Sequence, residues 1–451
     1  MTRDDTGSLD RSGEGPGSEH RPAGLTGGPA TGQSQLAELA DLLRRNADFR
    51  KLFFASVVSF LGDWFALVAV AGLVEGITGS EGSTALVFAS EVLPIFLFAP
   101  VAGMLADRFD RKRIMVSSAV LRTVPALGLL VAAATESAPL AYLCVASISM
   151  LAAFYEPIVG AVVPNVVDSE DLSLAQAAIG SVWGTMLFLG AAIGGVITWA
   201  FGREASFVVN AATFVVAAGL IVSIRRPFSE GQVRATASVL AHVTEVWRFV
   251  RPRKPVRALM ITKAGVGVGN GIVGLLPIYA LTVFEAGDLG TGVLLAMRGL
   301  GALVGPYVGR ALYRDDGNKL VFWCGASIVT YALFYLLLPA AGARWIAAAV
   351  VGLAHVGGGN QWVASTTGLQ VATPDQVRGR VMSLDFSLAT LGIGLSSLVA
   401  AALAESIGLL GASLVLPGFS LVYGVLWLVW TRDLWRWGRP DPLAREAGVA
   451  S

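Results

Sequence analysis

The stretch Gly103–Arg113, GMLADRFDRKR, lies directly between two long apolar runs, and six of its eleven residues are charged. A soluble core has no place for such a stretch. In a membrane protein, by contrast, a short loop must return the chain, and its bases keep that loop on the cytoplasmic side. The stretch therefore predicts two membrane-spanning helices joined by a basic turn.

The whole chain is poor in charge. Of its 451 residues, 54% are hydrophobic and 14% are charged, whereas soluble domains carry about 25% charged residues. A formal net charge of +1 gives no field that would attract nucleic acid. The 53 glycines suit membrane helices, whose backbones approach each other closely at small residues. Together these features predict a polytopic membrane protein.

Apolar stretches of membrane-spanning length recur along the chain, since one span needs about 20 mostly apolar residues. A polar segment separates six such stretches from six more. We therefore predict an all-α integral membrane protein with twelve transmembrane helices in two six-helix halves. The helices are expected near residues 52–77, 83–106, 113–134, 138–163, 173–200, 203–224, 256–284, 288–312, 319–340, 343–366, 378–405 and 408–431.

The segments outside the spans are polar or amphipathic. Composition predicts a disordered tail at the start of the chain, and leucines at helical spacing predict an amphipathic surface helix after it. The linker between the halves holds a second amphipathic pattern. The predicted order is a cytoplasmic tail (1–33), a surface helix (34–51), the first half (52–224), the linker (225–254), the second half (255–431) and a cytoplasmic tail (432–451).

Lysines and arginines concentrate in alternate connections between the predicted spans. The other set of connections holds only Arg203 and Arg344. Because bases mark cytoplasmic loops, we expect both termini inside, in a multi-pass protein of the cell membrane.

The opening stretch has a partial repeat in the second half. Pro100, Gly103 and Arg108 recur with the same spacing as Pro306, Gly309 and Arg314, whereas Tyr313 stands where Asp107 would. Two similar halves are typical of secondary transporters.

These residues resemble the major facilitator superfamily. Gly103–Arg113 is similar to that family's signature between helices two and three, with Asp110 in place of the second glycine. Within the superfamily, the chain is similar to bacterial macrolide and siderophore exporters. The similar residues are Leu61-Gly62-Asp63, Val163-Pro164, Leu174-Ala175-Gln176-Ala177, and Pro374 with Arg378-Gly379-Arg380-Val381-Met382-Ser383-Leu384. One departure lies in helix five, where Ala191 replaces the proline of many drug antiporters.

The resemblance implies a secondary transporter that exports a drug-like or hydrophobic small molecule by alternating access, driven by inward proton flow. It also implies a cytoplasmic gate, in which the Asp107 carboxylate meets the unpaired N–H groups at the start of helix eleven. The bases of the loop also have a simpler role in setting topology. The gate motif comprises Gly103, Asp107, Arg108, Arg111, Arg378 and Arg380.

Ionisable residues inside the spans are the candidates for mechanism. A charge at mid-membrane costs about 2.5–3.5 kcal/mol, so it faces a cavity or a partner. Glu91 is the first candidate for proton coupling, because apolar surroundings disfavour its charged form. Glu156, which precedes Pro157 and is expected at a break in helix four, is the second. Asp63 is the third, with an internal hydrogen bond as an equal alternative. Asp385, near the end of its helix, is expected to be structural.

Two bases, Lys263 and Arg298, lie in the second half, whereas the coupling candidates lie in the first. They could pair with these acids across a cavity, or bind different parts of a charged substrate. Lys263 could instead reach the cytoplasm along its apolar stem. Glycine-dense stretches are expected to bend helix seven before Asn270 and helix ten before Asn360 and Gln361. These three polar residues complete the cavity candidates.

Other function classes lack the residues that they need. The glycines before Asn360 are not followed by the Lys-Ser/Thr of a phosphate loop, and three scattered histidines cannot assemble a metal cluster. We expect no enzyme activity, cofactor, metal or nucleic-acid partner. The expected partners are a small-molecule substrate, protons and the lipid bilayer, with the protein as a monomer. The alternatives are a siderophore-like metabolite exporter, a solute importer, or a non-transporting assembly or receptor protein.

Overall fold

The computed structural model describes residues 32–228, 239–313 and 319–435, and every regular element in these ranges is helical. The predicted tails lie almost wholly outside them. The elements are α1 (Gly32–Arg45), α2 (Ala47–Thr78), α3 (Glu81–Arg108), α4 (Arg111–Ala134), α5 (Ala138–Ala152), α6 (Glu156–Val166), α7 (Leu172–Phe201), α8 (Arg203–Val222), α9 (Val239–Val250), α10 (Lys254–Gly269), α11 (Leu276–Ile278), α12 (Gly287–Tyr313), α13 (Leu320–Leu337), α14 (Arg344–Ala372) and α15 (Asp375–Trp430).

Ten segments of the described chain are long and apolar enough to cross a membrane. One of them, α15, is a hairpin of two arms, because Gly408 interrupts the helix with a φ of +74°. The arms run in opposite directions, since Asp385 of the first arm and Trp427 of the second contact Lys263 and Ala258, which lie close together on α10. With 29 residues, α14 is about as long as the ten segments counted above. With both arms and α14, twelve helices run through the described bundle.

The amphipathic helix at the start of the chain is shorter than the predicted 34–51. It ends at Arg45, and Asn46 begins α2 by accepting a hydrogen bond from the N–H of Phe49 at 2.9 Å. Arg45 donates two bonds to the carboxylate of Asp171, at 2.8 and 2.6 Å. Leu42 is fully buried. The helix is therefore fastened to the first half by a charge pair and an apolar contact.

Two predicted breaks are present in the helices. The fourth span is interrupted between α5 and α6, where Glu156 and Pro157 open the second piece. In the seventh span, α10 ends at Gly269, and the chain continues as a 3₁₀ helix (Asn270–Leu275), α11 and a π-helical turn (Tyr279–Val283).

The glycines predicted to bend helix ten do not interrupt it, since α14 runs unbroken as an α-helix through Gly357–Gly359. These glycines serve close packing instead. A Cβ added to Gly357 would lie 2.7 Å from the carbonyl oxygen of Ser327 on α13. The small residues therefore let the helices approach each other.

The two ends of the bundle differ in charge. One end, here called the basic end, carries Arg45, Lys51, Arg111, Lys112, Arg225 and Arg226 at helix termini. The opposite end, the acidic end, carries Glu75, Glu81, Glu136, Glu204, Glu285, Asp288 and Glu405, with Arg203 and Arg344 as its described bases.

The apolar core is divided at the basic end only. One large cluster joins both halves through residues such as Trp64, Phe88 and Leu295. A second cluster contains first-half residues alone, including Met115 and Val163. A third contains the second half together with α9, whose Val246 and Val250 are buried against it. The halves therefore share a core at the acidic end and the middle, and have separate cores at the basic end.

Candidate substrate and proton site between the halves

Two polar contacts close the acidic end between the halves. The Arg203 guanidinium, at the start of α8, lies 3.0 Å from the Asp288 carboxylate at the start of α12. The Ser80 hydroxyl donates to the Glu405 carboxylate at 2.8 Å, which joins α3 to α15. Both contacts are partly exposed, so each stabilises the closed end only modestly.

Close backbone packing seals the same end. A Cβ added to Gly195 of α7 would lie 2.8 Å from the Cα of Gly292 of α12, so a side chain cannot be accommodated at this crossing. Next to it, apolar residues of both halves, including Leu67, Phe88 and Pro277, enclose a cavity of only about 10 Å³. Such a volume holds at most one water molecule. The acidic end is therefore sealed by packing.

The basic end has no matching closure among the described residues. The hydrogen bonds described there join residues of one half: Lys112 donates to the carbonyl of Ile224 at 2.6 Å, and Arg380 donates to Glu245 at 2.5 Å. Cβ positions built on Gly103 and Gly379 meet open space. The described contacts therefore join the halves less tightly at the basic end than at the acidic end.

The gate motif lies at the basic end, and its bases Arg378 and Arg380 have partners on the side of the second half. Arg378 donates to the carbonyl of Thr373 at 3.1 Å and pairs with Asp375. The Arg111 Nε atom is buried without a described partner. The side chain of Asp107 lies outside the described side chains, as does Arg314, so the predicted contact of Asp107 with helix eleven stays a prediction. Asp110 caps α4 by accepting from the N–H of Arg113 at 2.8 Å.

A buried ion pair lies inside the first half. Asp63 of α2 accepts from the Arg122 guanidinium of α4 at 2.5 Å, and Arg122 also donates to Ser59 at 3.0 Å. The guanidinium stacks 4.1 Å from the ring centroid of Phe214 on α8. Sequence reasoning missed Arg122, although it is the one charged side chain within the apolar run of helix three, 114–134. The structure shows an internal partner for Asp63, which is the second of its two predicted roles.

A second buried ion pair lies inside the second half. Lys263 of α10 donates to the Asp385 carboxylate of α15 and, at 3.0 Å, to the Thr366 hydroxyl. Its ammonium lies 4.7 Å from the ring centroid of Trp362. The side chains of Lys263 and Asp385 are 3% and 1% exposed. The suggestion that Lys263 reaches the cytoplasm is therefore wrong, because its charge is neutralised in the interior. Neither Lys263 nor Asp63 forms an ion pair with a residue of the opposite half.

Glu91 and Arg298 remain without such partners between the halves. In the described structure, the Glu91 Oε2 atom and the Arg298 Nε and NH1 atoms are buried and make no hydrogen bond. Glu91 lies on α3 of the first half and feels the charges of Arg298, Asp63 and Glu156. Arg298 lies on α12 of the second half, 5.4 Å from the ring centroid of Phe88. An unpaired acid and an unpaired base therefore face one interior from opposite halves.

Glu156, the second predicted coupling acid, lies where the fourth span is broken. It opens α6 and feels the charges of Asp63 and Arg122. The structure thus brings all three predicted coupling acids, Asp63, Glu91 and Glu156, into one electrostatic neighbourhood of the first half.

The three predicted cavity amides have different surroundings. Asn270 accepts from the Tyr331 hydroxyl at 3.4 Å. Asn360 donates to Ser327 at 2.8 Å and accepts from Tyr313 at 3.4 Å. Both therefore join helices of the second half. Gln361 is fully buried, and both of its amide atoms lack a described partner.

Comparison with known proteins agrees with this architecture. Residues 37–437 match the family described as transmembrane secretion effectors. This match covers most of the chain, and the chain therefore belongs to this family of major facilitator transporters. The resemblance stated from the sequence is confirmed.

Two relatives indicate the range of the family. A Bacillus subtilis protein named as a bacilysin exporter is 26% identical over 379 residues, which cover 84% of this chain and 92% of the relative. The staphyloferrin A transporter of Staphylococcus aureus (strain NCTC 8325 / PS 47) is 22% identical over 362 residues, which cover 78% of this chain and 89% of the relative.

Solved structures share the fold at low sequence identity. A POT family transporter in complex with a thioalcohol-conjugated peptide has a TM-score of 0.70 at 12% identity, covering 86% of this chain and 96% of that one. A bacterial homologue of the human lysosomal transporter Spinster, in an inward-facing and unoccupied conformation, has a TM-score of 0.66 at 15% identity, covering 88% and 99%. The all-helical major facilitator fold is thereby confirmed.

Proposed function

We propose that this transporter exports a small molecule from the cell by alternating access, and that protons entering the cell drive the export through Glu91. The basic end faces the cytoplasm in this proposal, because lysines and arginines mark cytoplasmic loops. Both termini then lie inside. The described structure corresponds to the state that loads substrate from the cytoplasm.

The observation that carries the proposal is the buried Oε2 atom of Glu91, which has no hydrogen-bond partner at the junction of the two halves. An ionised carboxylate left unpaired in such surroundings is costly, so a proton or a substrate cation stabilises the site. A group that exchanges these two ligands couples proton flow to transport. Asp63 is less suited to this exchange, because Arg122 already neutralises it.

The packing supports a rocking motion of two rigid halves. Each half keeps its own buried ion pair and its own core at the basic end. The close contacts between the halves lie at the acidic end and the middle, at Arg203 with Asp288, at Gly195 with Gly292 and at Gly299 with Phe188. Opening that end requires the loss of few bonds, as alternating access demands.

Everted membrane vesicles test the proposal. Vesicles that contain the full chain receive an imposed pH gradient, acidic inside, and are challenged with a broad panel of compounds. A substrate should dissipate part of the gradient with wild-type protein and fail to do so with Glu91→Gln. Glu204→Gln, which changes an exposed acid, is the matched control. If no compound dissipates the gradient, or if Glu91→Gln transports uphill, proton antiport through Glu91 is wrong.

A siderophore-like metabolite is the second candidate substrate. The similarity to the staphyloferrin A transporter supports it, and such a compound belongs in the vesicle panel. Gradient-driven uptake into intact cells, in place of export, would indicate the importer alternative.

A further inference from the structure

We propose that the transported molecule is a small zwitterion, which carries an amino group and a carboxylate on an apolar body. The proposal rests on the export function proposed above and names its substrate class. In this assignment, the substrate carboxylate binds Arg298 and Trp64, and the substrate amino group binds Glu91.

The unsatisfied polar atoms between the halves define the chemistry of this site. Three buried donors lack a described acceptor: Nε and NH1 of Arg298 and Nε1 of Trp64. The residues that carry them are 7% and 6% exposed. Buried donors of this kind are costly unless an acceptor arrives. A carboxylate supplies two acceptor oxygens and a negative charge, and the planar guanidinium binds it in a forked geometry.

Aromatic rings hold the guanidinium in place. The Arg298 Cζ atom lies 5.6 Å from the ring centroid of Trp64 and 5.4 Å from that of Phe88. These distances are within the range of a cation–π contact. The rings belong to the first half and the arginine to the second, so the site is assembled from both.

The acid of the site lies one helical turn away. Glu91 follows Phe88 by three residues on α3, so the two side chains share one helix face. A separation of three residues corresponds to about 4.5 Å along the helix axis. A zwitterion whose charges lie a few bonds apart can therefore span the site. Its carboxylate reaches Arg298, which lies beside Phe88, and its amino group reaches Glu91, one turn further along α3.

Most of the other buried charges are paired inside one half. Arg122 already neutralises Asp63, and Asp385 already neutralises Lys263. Glu156 has no described ion pair, and the charges that act on it, those of Asp63 and Arg122, belong to its own half. Glu91 and Arg298 are therefore the acid and the base that come from opposite halves and have no described hydrogen bond.

Proton antiport further constrains the charge of the substrate. Three charged groups act on Glu91: Arg298, Asp63 and Glu156. A substrate with a carboxylate alone would add negative charge beside Glu91 and favour its protonated form. Proton and substrate would then be bound at the same time and move in the same direction, which is cotransport. A substrate with an amino group displaces that proton, which is antiport. The amino group therefore provides the exchange, and the carboxylate satisfies Arg298.

A matched set of probes tests this assignment. Phenylalanyl-alanine is the zwitterion, its N-acetyl form lacks the cation, and its C-terminal amide lacks the anion. Binding of each probe to the purified full chain is measured in detergent, and each is also added to the everted vesicles described above. The variants are Glu91→Gln and Arg298→Gln. Glu204→Gln and Arg310→Gln, which change exposed side chains, are their controls.

The wild type should bind the zwitterion at least about tenfold more tightly than either blocked probe, because a buried charge left unpaired is costly. Arg298→Gln should lose the preference for the free carboxylate only, and Glu91→Gln the preference for the free amino group only. Equal binding of all three probes to the wild type, or preferences that survive the matching substitutions, would overturn the assignment.

The vesicle measurement separates this inference from the export function. If a lipophilic monocation such as ethidium dissipates the pH gradient and the zwitterion does not, the export function stands and the zwitterion assignment is wrong. If the zwitterion binds with the expected preferences and dissipates no gradient, the assignment stands and proton antiport is wrong. If the wild type neither binds the zwitterion nor dissipates the gradient with any probe, both are wrong.

Discussion

The buried charges of this transporter are of two kinds. The first kind forms ion pairs within one half, namely Asp63 with Arg122 and Lys263 with Asp385. The second kind lies between the halves, where Glu91 of the first half and Arg298 of the second have buried atoms without a hydrogen-bond partner. Charges that are paired inside a half can move with it unchanged. Charges left open between the halves respond to what binds there. In the proposed cycle, the difference separates the groups that maintain each half from the groups that bind the proton and the substrate.

The two cysteines make this comparison measurable. Cys144 is buried in α5 of the first half and Cys324 in α13 of the second. A thiol-reactive dye that fluoresces on reaction reports when each becomes accessible. Single-cysteine variants therefore report the unfolding of each half separately.

Lys263→Met is expected to have the largest effect on stability. It leaves the Asp385 carboxylate unpaired, and the Oδ1 atom of that carboxylate already has no described partner. Breaking a fully buried pair in this way costs about 3–5 kcal/mol. Cys324 should react at a clearly lower temperature than in the wild type. The double variant Lys263→Met with Asp385→Leu should restore most of the stability. If the temperature at which half of Cys324 has reacted is unchanged in Lys263→Met, the pair does not stabilise the second half.

Arg122→Met is expected to destabilise the first half by a smaller amount. The side chain of Asp63 is 18% exposed, so some solvent remains available to it after its partner is lost. The loss of a hydrogen bond to a charged group costs about 2–3 kcal/mol. The temperature at which Cys144 reacts with the dye should fall further than the temperature at which Cys324 reacts. A larger shift at Cys324 would show that the halves do not behave as separate units.

Glu91→Gln should leave stability unchanged or raise it by about 0–1 kcal/mol, because the amide removes the cost of an unpaired charge. The midpoints of both cysteines should match or exceed those of the wild type, although coupled transport is lost. Destabilisation comparable to that of Arg122→Met would place Glu91 among the structural ion pairs.

Arg203→Ala should have the smallest effect. The side chains of Arg203 and Asp288 are 29% and 15% exposed, and solvent screening limits such a pair to about 0–1 kcal/mol. The substitution should shift the population away from the closed acidic end by at most about fivefold. The reaction of a cysteine placed at Thr291, which is fully buried near that end, reports this shift. A complete opening would show that the ion pair, and not the glycine crossing, seals the end.

The fold could be predicted in most of its elements because apolar length and loop charge are local signals. Glu156-Pro157 and the glycines before Asn270 marked real breaks, since proline and glycine act on the backbone where they stand. The glycines at Gly357–Gly359 gave the same signal and proved to serve packing against α12 and α13. The local sequence does not state which neighbour approaches a glycine.

The site could be predicted in part. Glu91 was identifiable as an acid in an apolar run, and Arg122 gave the equivalent signal in helix three. The pairing of Lys263 with Asp385 joins residues 122 positions apart, and no local pattern encodes it. Pairing across the cavity, one of the alternatives for Lys263, is therefore wrong, because the partner of Lys263 lies within its own half.

The distance across the basic end tests the central claim most directly, and it needs no substrate. Spin labels are attached at Phe109→Cys and Gln376→Cys, two exposed positions of opposite halves, with Cys144 and Cys324 replaced. In the otherwise wild-type protein, a change of pH should alter the fractions of molecules with a long and with a short distance between the two labels, because protonation changes the charge of Glu91 between the halves. Glu156→Gln should show the same response. In Glu91→Gln the ratio should not respond to pH. The same pH response in Glu91→Gln, or none in the wild-type background, would contradict the account.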